Sequence, residues 1–221
     1  NLSEAYDFKG NLLRSTRRLV KDYKVIPDWT QFDESQLEDE RFEASTRYDA
    51  LNRPIQSVAP HSSLGRGKLN IIQPVFNESN LLEGVDVWLE RAPEPNDLLD
   101  RDSEAPSPVG VSDIDYDAKG QRLCIDYKNG TSTIYDYDPL TFRLHRMVTR
   151  RGRQRFPGDC QHDPDWPGCQ VQNLHYTYDP AGNITHIRDY AQQHIFFKNK
   201  RVEPSNDYIY DALYRLIQAT G

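Results

Sequence analysis

The densest grouping of reactive side chains is Asp159-Cys160-Gln161-His162-Asp163-Pro164-Asp165-Trp166-Pro167-Gly168-Cys169. Two thiols and an imidazole in one short loop suggest metal ligation or nucleophilic chemistry. Structural zinc takes four N or S ligands, usually from compact knuckles, and no fourth ligand accompanies these three. A Cys-His nucleophile needs a third group to orient the base, and Cys160 and His162 are too local to bring one. What remains is a Cys160–Cys169 disulfide closing the loop, or two unpaired thiols, with Cys124 single either way. His61, His145, His175, His186 and His194 are dispersed, and no Gly-x-Ser-x-Gly elbow, phosphate-binding glycine loop or His-Glu-x-x-His pattern occurs. The expectation is therefore no catalytic residue, no metal and no cofactor: the chain reads as a non-enzyme.

Charge narrows the partners. The 221 residues carry a formal net charge of −7, which argues against nucleic acid as a partner, since phosphate neutralisation needs a concentrated positive surface. The basic run at 146–155 reads as a solvated loop. The acidic stretch 28–43 places Phe32, Leu37 and Phe42 on a loose helical stripe, which predicts a short surface helix with a solvated acidic face. No run approaches the ~20 apolar residues needed to span a bilayer, and no leader pattern opens the chain. Both termini read as cuts within a longer protein.

The elements that must position these residues are strands. The composition is 37% hydrophobic with 13 Tyr against a single Met, a bias toward pleated, half-buried surfaces. Twelve Gly and 14 Pro supply frequent turns. A Tyr-Asp pair followed by a turn recurs as Tyr6-Asp7, with Gly10; Tyr48-Asp49; Tyr116-Asp117, with Gly120; Tyr178-Asp179, with Gly182; and Tyr210-Asp211. Tyr137-Asp138 is a variant copy. Spacings of 21, 41 and 42 residues fit one unit of about 21, sometimes doubled, which is one hairpin per repeat. Intervals of 68 and 32 imply insertions, placed near 23–45 and 60–112, with a further loop at 150–171.

The motif explains itself without a ligand. Asp at the first turn position can accept backbone N–H groups two residues on, Pro180 presets φ at the second, and Gly favours the fourth. Tyr ends the preceding strand, with a ring for cross-strand packing and a hydroxyl free to stay hydrated. Tyr214 replaces the fourth-position Gly and resists the left-handed region, so that turn is expected to be of another type or to rest on its neighbours. Asn129-Gly130 predicts a two-residue hairpin turn, which sets Cys124 opposite Tyr135 and leaves neither face uniformly apolar. Residues 77–83 read as a turn of helix before a strand containing Val85, Val87 and Leu89. Residues 93–108, rich in Pro, Asp and Glu, read as a loop where an insertion leaves the sheet.

Tyr48-Asp49-Ala50-Leu51-Asn52-Arg53-Pro54, the string Tyr176-Thr177-Tyr178-Asp179-Pro180-Ala181-Gly182-Asn183-Ile184-Thr185-His186-Ile187-Arg188, and residues 201–215 resemble RHS/YD-repeat proteins. With residues 6–22 they spread the likeness over nearly the whole chain, and it is greatest to the repeat region of the B and C components of bacterial insecticidal toxin complexes. The resemblance implies an all-β fold: antiparallel hairpins forming a curved YD-repeat sheet, a segment of a hollow β-shell, with at most one or two short helices. It implies a structural role in a secreted protein, enclosing a C-terminal toxin polypeptide. The partners would be the rest of the longer chain or a toxin-complex subunit, together with the enclosed toxin. Secretion would permit the Cys160–Cys169 bridge. The rival reading is a glycan- or protein-binding module. Shell packing would bury Tyr135, Tyr137, Tyr176 and Tyr178 against neighbouring strands, whereas binding would expose them as one continuous patch.

Overall fold

The computed structural model describes residues 2–31, 33–64, 68–152, 156–158 and 170–221. The chain divides into two compact units, Asn1–Gly110 and Val111–Gly221.

The first unit is an antiparallel meander of β1 (Leu2–Tyr6), β2 (Leu12–Val20), β3 (Leu37–Tyr48), β4 (Pro54–Ser62), β5 (Leu69–Phe76) and β6 (Leu82–Arg91), each strand pairing with the next. Burial alternates along the central strands, as a sheet with one covered face requires. Gln56 and Val58 of β4, Leu69, Ile71 and Gln73 of β5, and Asp86 and Trp88 of β6 point inward. Register stacks Val58 on Ile71 and Ile71 on Trp88, and with Leu69 and partly buried Leu99 these form the core.

What covers that face is the segment expected to leave the sheet. Residues 92–109 lack regular structure, as their composition predicts, yet they cross the strands as a strap. Glu94 accepts from Ser45 Oγ at 2.6 Å and pairs with Arg14 at 3.2 Å. The carbonyls of Pro95 and Asn96 accept from Arg47, and that of Asp97 from Gln56 at 3.3 Å. Gln73 both receives the Leu99 N–H, at 2.8 Å, and donates to its carbonyl, at 3.0 Å. Arg101 reaches buried Asp86 at 2.7 Å, and Trp88 Nε1 donates to the Glu104 carbonyl at 3.0 Å. Strands β2 to β6 thus meet the strap in chain order. Its backbone groups replace the water that Gln56, Gln73 and Trp88 would otherwise lose on burial.

The second unit runs through β7 (Gly110–Tyr116), β8 (Arg122–Tyr127), β9 (Thr131–Tyr137), β10 (Leu144–Arg151), β11 (Gln170–Tyr178) and β12 (Ile184–Asp189). A side hairpin of β13 (Ile195–Phe197) and β14 (Lys200–Val202) forms its own two-stranded sheet, after which β15 (Ser205–Tyr210) pairs with β12 and β16 (Leu216–Thr220) closes the order. The fold class is all-β and antiparallel, as the repeat implied.

Three local expectations, the helix at 28–43, the turn of helix at 77–83 and the β8–β9 register, are corrected. Among the described residues of 28–43 the helical structure is one 3-10 turn, Glu34–Gln36, capped by Asp33, whose side chain accepts from the Ser35 N–H. Leu37 and Phe42 lie in β3, where pairing to both β2 and β4 overrides an acidic composition; Phe32 lies outside the described residues. The stretches expected as insertions between repeats, 23–45 and 60–112, themselves carry part of β3 and all of β5 and β6. Residues 77–81 form a hairpin turn rather than helix, and 82–83 already lie in β6.

The third correction concerns register. Cys124 faces Ile134, not Tyr135, and Ile125 faces Thr133. A two-residue turn of the expected type needs positive φ at both central residues, but only Gly130 has it, at 84°. Instead the Gly130 N–H closes on the Tyr127 carbonyl at 2.9 Å, and Asn129 Oδ1 accepts from the Thr131 N–H at 3.0 Å. The loop is therefore three residues, Lys128-Asn129-Gly130, and the one-residue slip moves every β9 side chain to the other face. Leu123, Ile125 and Tyr127 now share a face with Thr133, Tyr135 and Tyr137, while Arg122, Cys124 and Asp126 face Ser132, Ile134 and Asp136. Unlike the expected pairing, this separates an apolar and aromatic face from a mainly polar one.

Candidate functional site

The recurrent site is the turn. At Asp7 the carboxylate Oδ1 accepts from the Lys9 and Asn11 N–H groups at 2.9 and 2.8 Å, while the Gly10 N–H closes on the Asp7 carbonyl at 3.1 Å. Asp49 binds Leu51 and Arg53 in the same way at 2.8 and 2.9 Å, Asp117 binds Lys119 and Gln121 at 2.8 and 2.9 Å, and Asp211 binds Leu213 and Arg215 at 2.8 and 2.9 Å. Asp179 takes the N–H groups of Gly182 and Asn183 at 2.7 and 2.9 Å. Asp138 clamps a turn one residue longer, accepting from Leu140 and Thr141. The fourth residue adopts positive φ, 87° at Gly10, 78° at Gly120 and 107° at Gly182, and a register shift follows in the flanking strand, the signature of a turn joined to a bulge.

A turn that sequence reading missed belongs to this set. Asn77 Oδ1 accepts from the Ser79 and Leu81 N–H groups, both at 3.0 Å, with Asn80 at φ 64°. Phe76-Asn77 replaces Tyr-Asp there; an aromatic followed by Asn, with a second Asn at the fourth position, was the available signal. It divides the unexplained interval, since Phe76 stands 28 residues after Tyr48 and 40 before Tyr116.

Tyr214 does not change the turn type. The Tyr214 N–H closes on Asp211 at 3.0 Å and the residue sits at φ 60°, a conformation that costs an L-residue about 1–2 kcal/mol. Its ring is 65% exposed, so little packing offsets this strain. Tyr214→Gly is expected to stabilise the chain by about 0.5–1 kcal/mol after allowing for the greater unfolded-state entropy of Gly, read as a raised urea midpoint at unchanged slope.

Five of the clamped carboxylates titrate low. The side chain of Asn11 holds Asp7 below the ordinary carboxylate value of 3.8, the Asn183 side chain does so for Asp179, and the backbone N–H groups of Arg53, Thr141 and Arg215 do so for Asp49, Asp138 and Asp211. A carboxyl whose pKa falls on folding contributes stability above 3.8 that is lost as pH drops through its folded value. Asp179→Asn should therefore be less stable than the parent at pH 7, with the gap closing below 3.8. Thermal melts at about pH 7, 4 and 2.5 check this; a gap that persists in acid would show that the ionised form is not what clamps the turn.

The tyrosines build a stripe on the apolar face of the second unit. Burial raises the phenol pKa of Tyr135, Tyr137, Tyr176 and Tyr178, and all four are half-buried. Met147 lies between Tyr135 and Leu174, and Tyr176 faces Ile187. Two motif hydroxyls bond to backbone: Tyr178 donates to the Leu144 carbonyl at 2.6 Å and Tyr210 to the Ile184 carbonyl at 3.0 Å. Each of these two tyrosines thus fastens its strand to the neighbouring one. Cys160, His162 and Cys169 lie outside the described residues, as does part of the basic run. Among the described residues no group of three or more His, Cys, Asp or Glu is arranged to hold a metal ion, and no helix is long and apolar enough to cross a membrane.

Successive hairpins paired in chain order, closed by Asx-clamped turns and in two places fastened by the tyrosine that precedes the clamp, resemble a YD-repeat sheet of the RHS type. The chain resembles the repeat region of toxin-complex proteins. It is 38% identical to the toxin subunit YenC1 of Yersinia entomophaga over half of this chain and 10% of that protein. It is 26% identical to YenC2 of the same organism over 99% of this chain and 20% of that protein. The crystal structure of TcdB2-TccC3 superposes on 98% of the chain and 9% of its own with a TM-score of 0.59 at 27% identity, as does that of TcdB2-TccC3-Cdc42. The chain therefore spans between a tenth and a fifth of the length of the two Yersinia subunits. No family model matches it.

Proposed function

We propose that this chain is a wall segment of a hollow β-shell in a secreted toxin-complex protein, enclosing a C-terminal toxin polypeptide, and that its role is structural rather than enzymatic. The supporting observation is the strand order: within each unit every main-sheet strand pairs with its neighbour in sequence, so the sheet extends as a strip whose open edges further repeats would cover. The toxin subunits and complexes it resembles are the second support. Half-burial of Tyr135, Tyr137, Tyr176 and Tyr178 favours packing within the wall over a continuous exposed binding patch.

Limited proteolysis of the complete polypeptide that carries these residues tests the reading. Enclosure expects a C-terminal polypeptide that resists protease while the shell is folded and is digested once the shell is opened by denaturant. A C-terminal region cleaved equally fast in both conditions would overturn it.

A further inference from the structure

On the polar face of the second unit, register places Asp136, Arg146, His175, Arg188 and Ser205 in one transverse row across β9, β10, β11, β12 and β15. His175 is therefore the direct cross-strand neighbour of an arginine on each side. Its ring meets Tyr190 edge-on at 4.5 Å and approaches His145 at 6.3 Å, while the Arg188 guanidinium lies 4.9 Å from the centre of the same Tyr190 ring.

The carboxylates nearby are already engaged. Asp136 stands 4.0 Å from Arg146, and Glu203 pairs with Arg188 at 2.9 Å and with Arg201 at 3.1 Å. Asp189 accepts the Asn173 N–H at 2.8 Å, and Asn173 in turn accepts from Arg146 Nε at 3.1 Å. Among the described residues His175 itself makes no ion pair or hydrogen bond with a carboxylate. A neutral imidazole fits between the two arginines as an aromatic spacer; an imidazolium there would place three like charges on adjacent strands, and directly opposed like charges destabilise a sheet.

We propose that His175 makes the β10–β11–β12 seam acid-sensitive, holding at neutral pH and loosening when the imidazole takes a proton. The direction follows from the surroundings. Burial first, then Arg146 and His145, push the His175 pKa below its ordinary 6.5, with Asp136 opposing weakly. A base whose pKa falls on folding binds more protons when unfolded, so the seam is at full strength above 6.5 and weakens as pH falls below that value. His186 is placed differently, with a carboxylate partner of its own: its Nδ1 lies 2.7 Å from Asp207. The acid response is thus specific to the row and does not depend on what the sheet encloses.

Segment-resolved hydrogen exchange on the complete polypeptide, corrected for intrinsic exchange and run at about pH 7.5 and about pH 5.5, tests the proposal. The parent should lose protection in β10, β11 and β12 at the lower pH while β5 and β6 keep theirs. His175→Gln should keep the β10–β12 protection at both values. Flat protection in the parent, or an unchanged acid response in His175→Gln, would overturn the proposal. If His175→Gln also lost protection in β5 and β6, it would be misfolded, and Arg146→Gln would decide instead: removing the flanking charge that acts on His175 should shrink the acid response, and an undiminished response would count against the row.

Discussion

Trp88→Ala is expected to lower the stability of the first unit by about 3–5 kcal/mol, the range for removing a large buried aromatic. Trp88 is 3% exposed and packs on Ile71, which is fully buried. Its loss acts in two places. The ring volume disappears from a small core of four buried apolar residues, Trp88 among them, and partly buried Leu99, and the Glu104 carbonyl loses the Nε1 donor that holds the end of the strap. Trp88→Phe separates the two effects, keeping most of the apolar contact while orphaning the carbonyl, and should cost about 1–2 kcal/mol. Urea unfolding gives both losses. Hydrogen exchange should locate them in β4 to β6, whereas protection lost evenly through both units would mean that the strap does not organise the first one.

The strap also shows why some of this fold was legible in sequence and some was not. The turns at Asp7, Asp49, Asp117, Asp179 and Asp211 could be read because the acceptor is a side chain at a fixed place and the positive φ falls at a fixed offset. Asn77 uses the same acceptor atom without the tyrosine or the charge, so a search for Tyr-Asp passes over it. The strap contributes mostly carbonyls, those of Pro95, Asn96, Asp97, Leu99 and Glu104, and every residue has a carbonyl. Only the inward amides of Gln56 and Gln73, at alternating positions with Val58 and Ile71, hinted that this face was not simply solvated.

The β8–β9 register failed for a related reason. Asn129-Gly130 is compatible with two loop lengths that differ by one residue, and the choice rests on which pairing buries more. The observed register lets Ile125 and Thr133 bury together, at 6% and 4% exposure, and it collects the tyrosines on one side. That choice depends on β7 and β10 as flanking strands, which a hairpin considered alone does not contain. The same dependence places His175 between two arginines: each residue is unremarkable in sequence, and only the registers of two strand pairs, β10–β11 and β11–β12, bring them into one row.

Gly110→Ala should be the most damaging single-methyl substitution in the chain, at more than about 3 kcal/mol, because two separate costs coincide. Gly110 ends the strap and begins β7 at φ 104°, outside the small left-handed region open to other L-residues. A Cβ placed there would stand 2.4 Å from the Val85 carbonyl oxygen and 3.3 Å from Val87 Cγ2. The first atom is backbone within β6, so it cannot swing aside as a flexible side chain would; either β6 or the strap's exit must move. Gly10→Ala provides the control, since Gly10 has φ 87° but a methyl on its Cα would meet nothing within 4 Å. That variant carries conformational strain alone, about 1–2 kcal/mol. Urea unfolding of both should therefore give clearly unequal losses. Equal losses would mean that β6 yields freely at Val85, and that the strap's return path is set by the contacts of Trp88, Gln73 and Asp86 rather than by the close approach at Gly110.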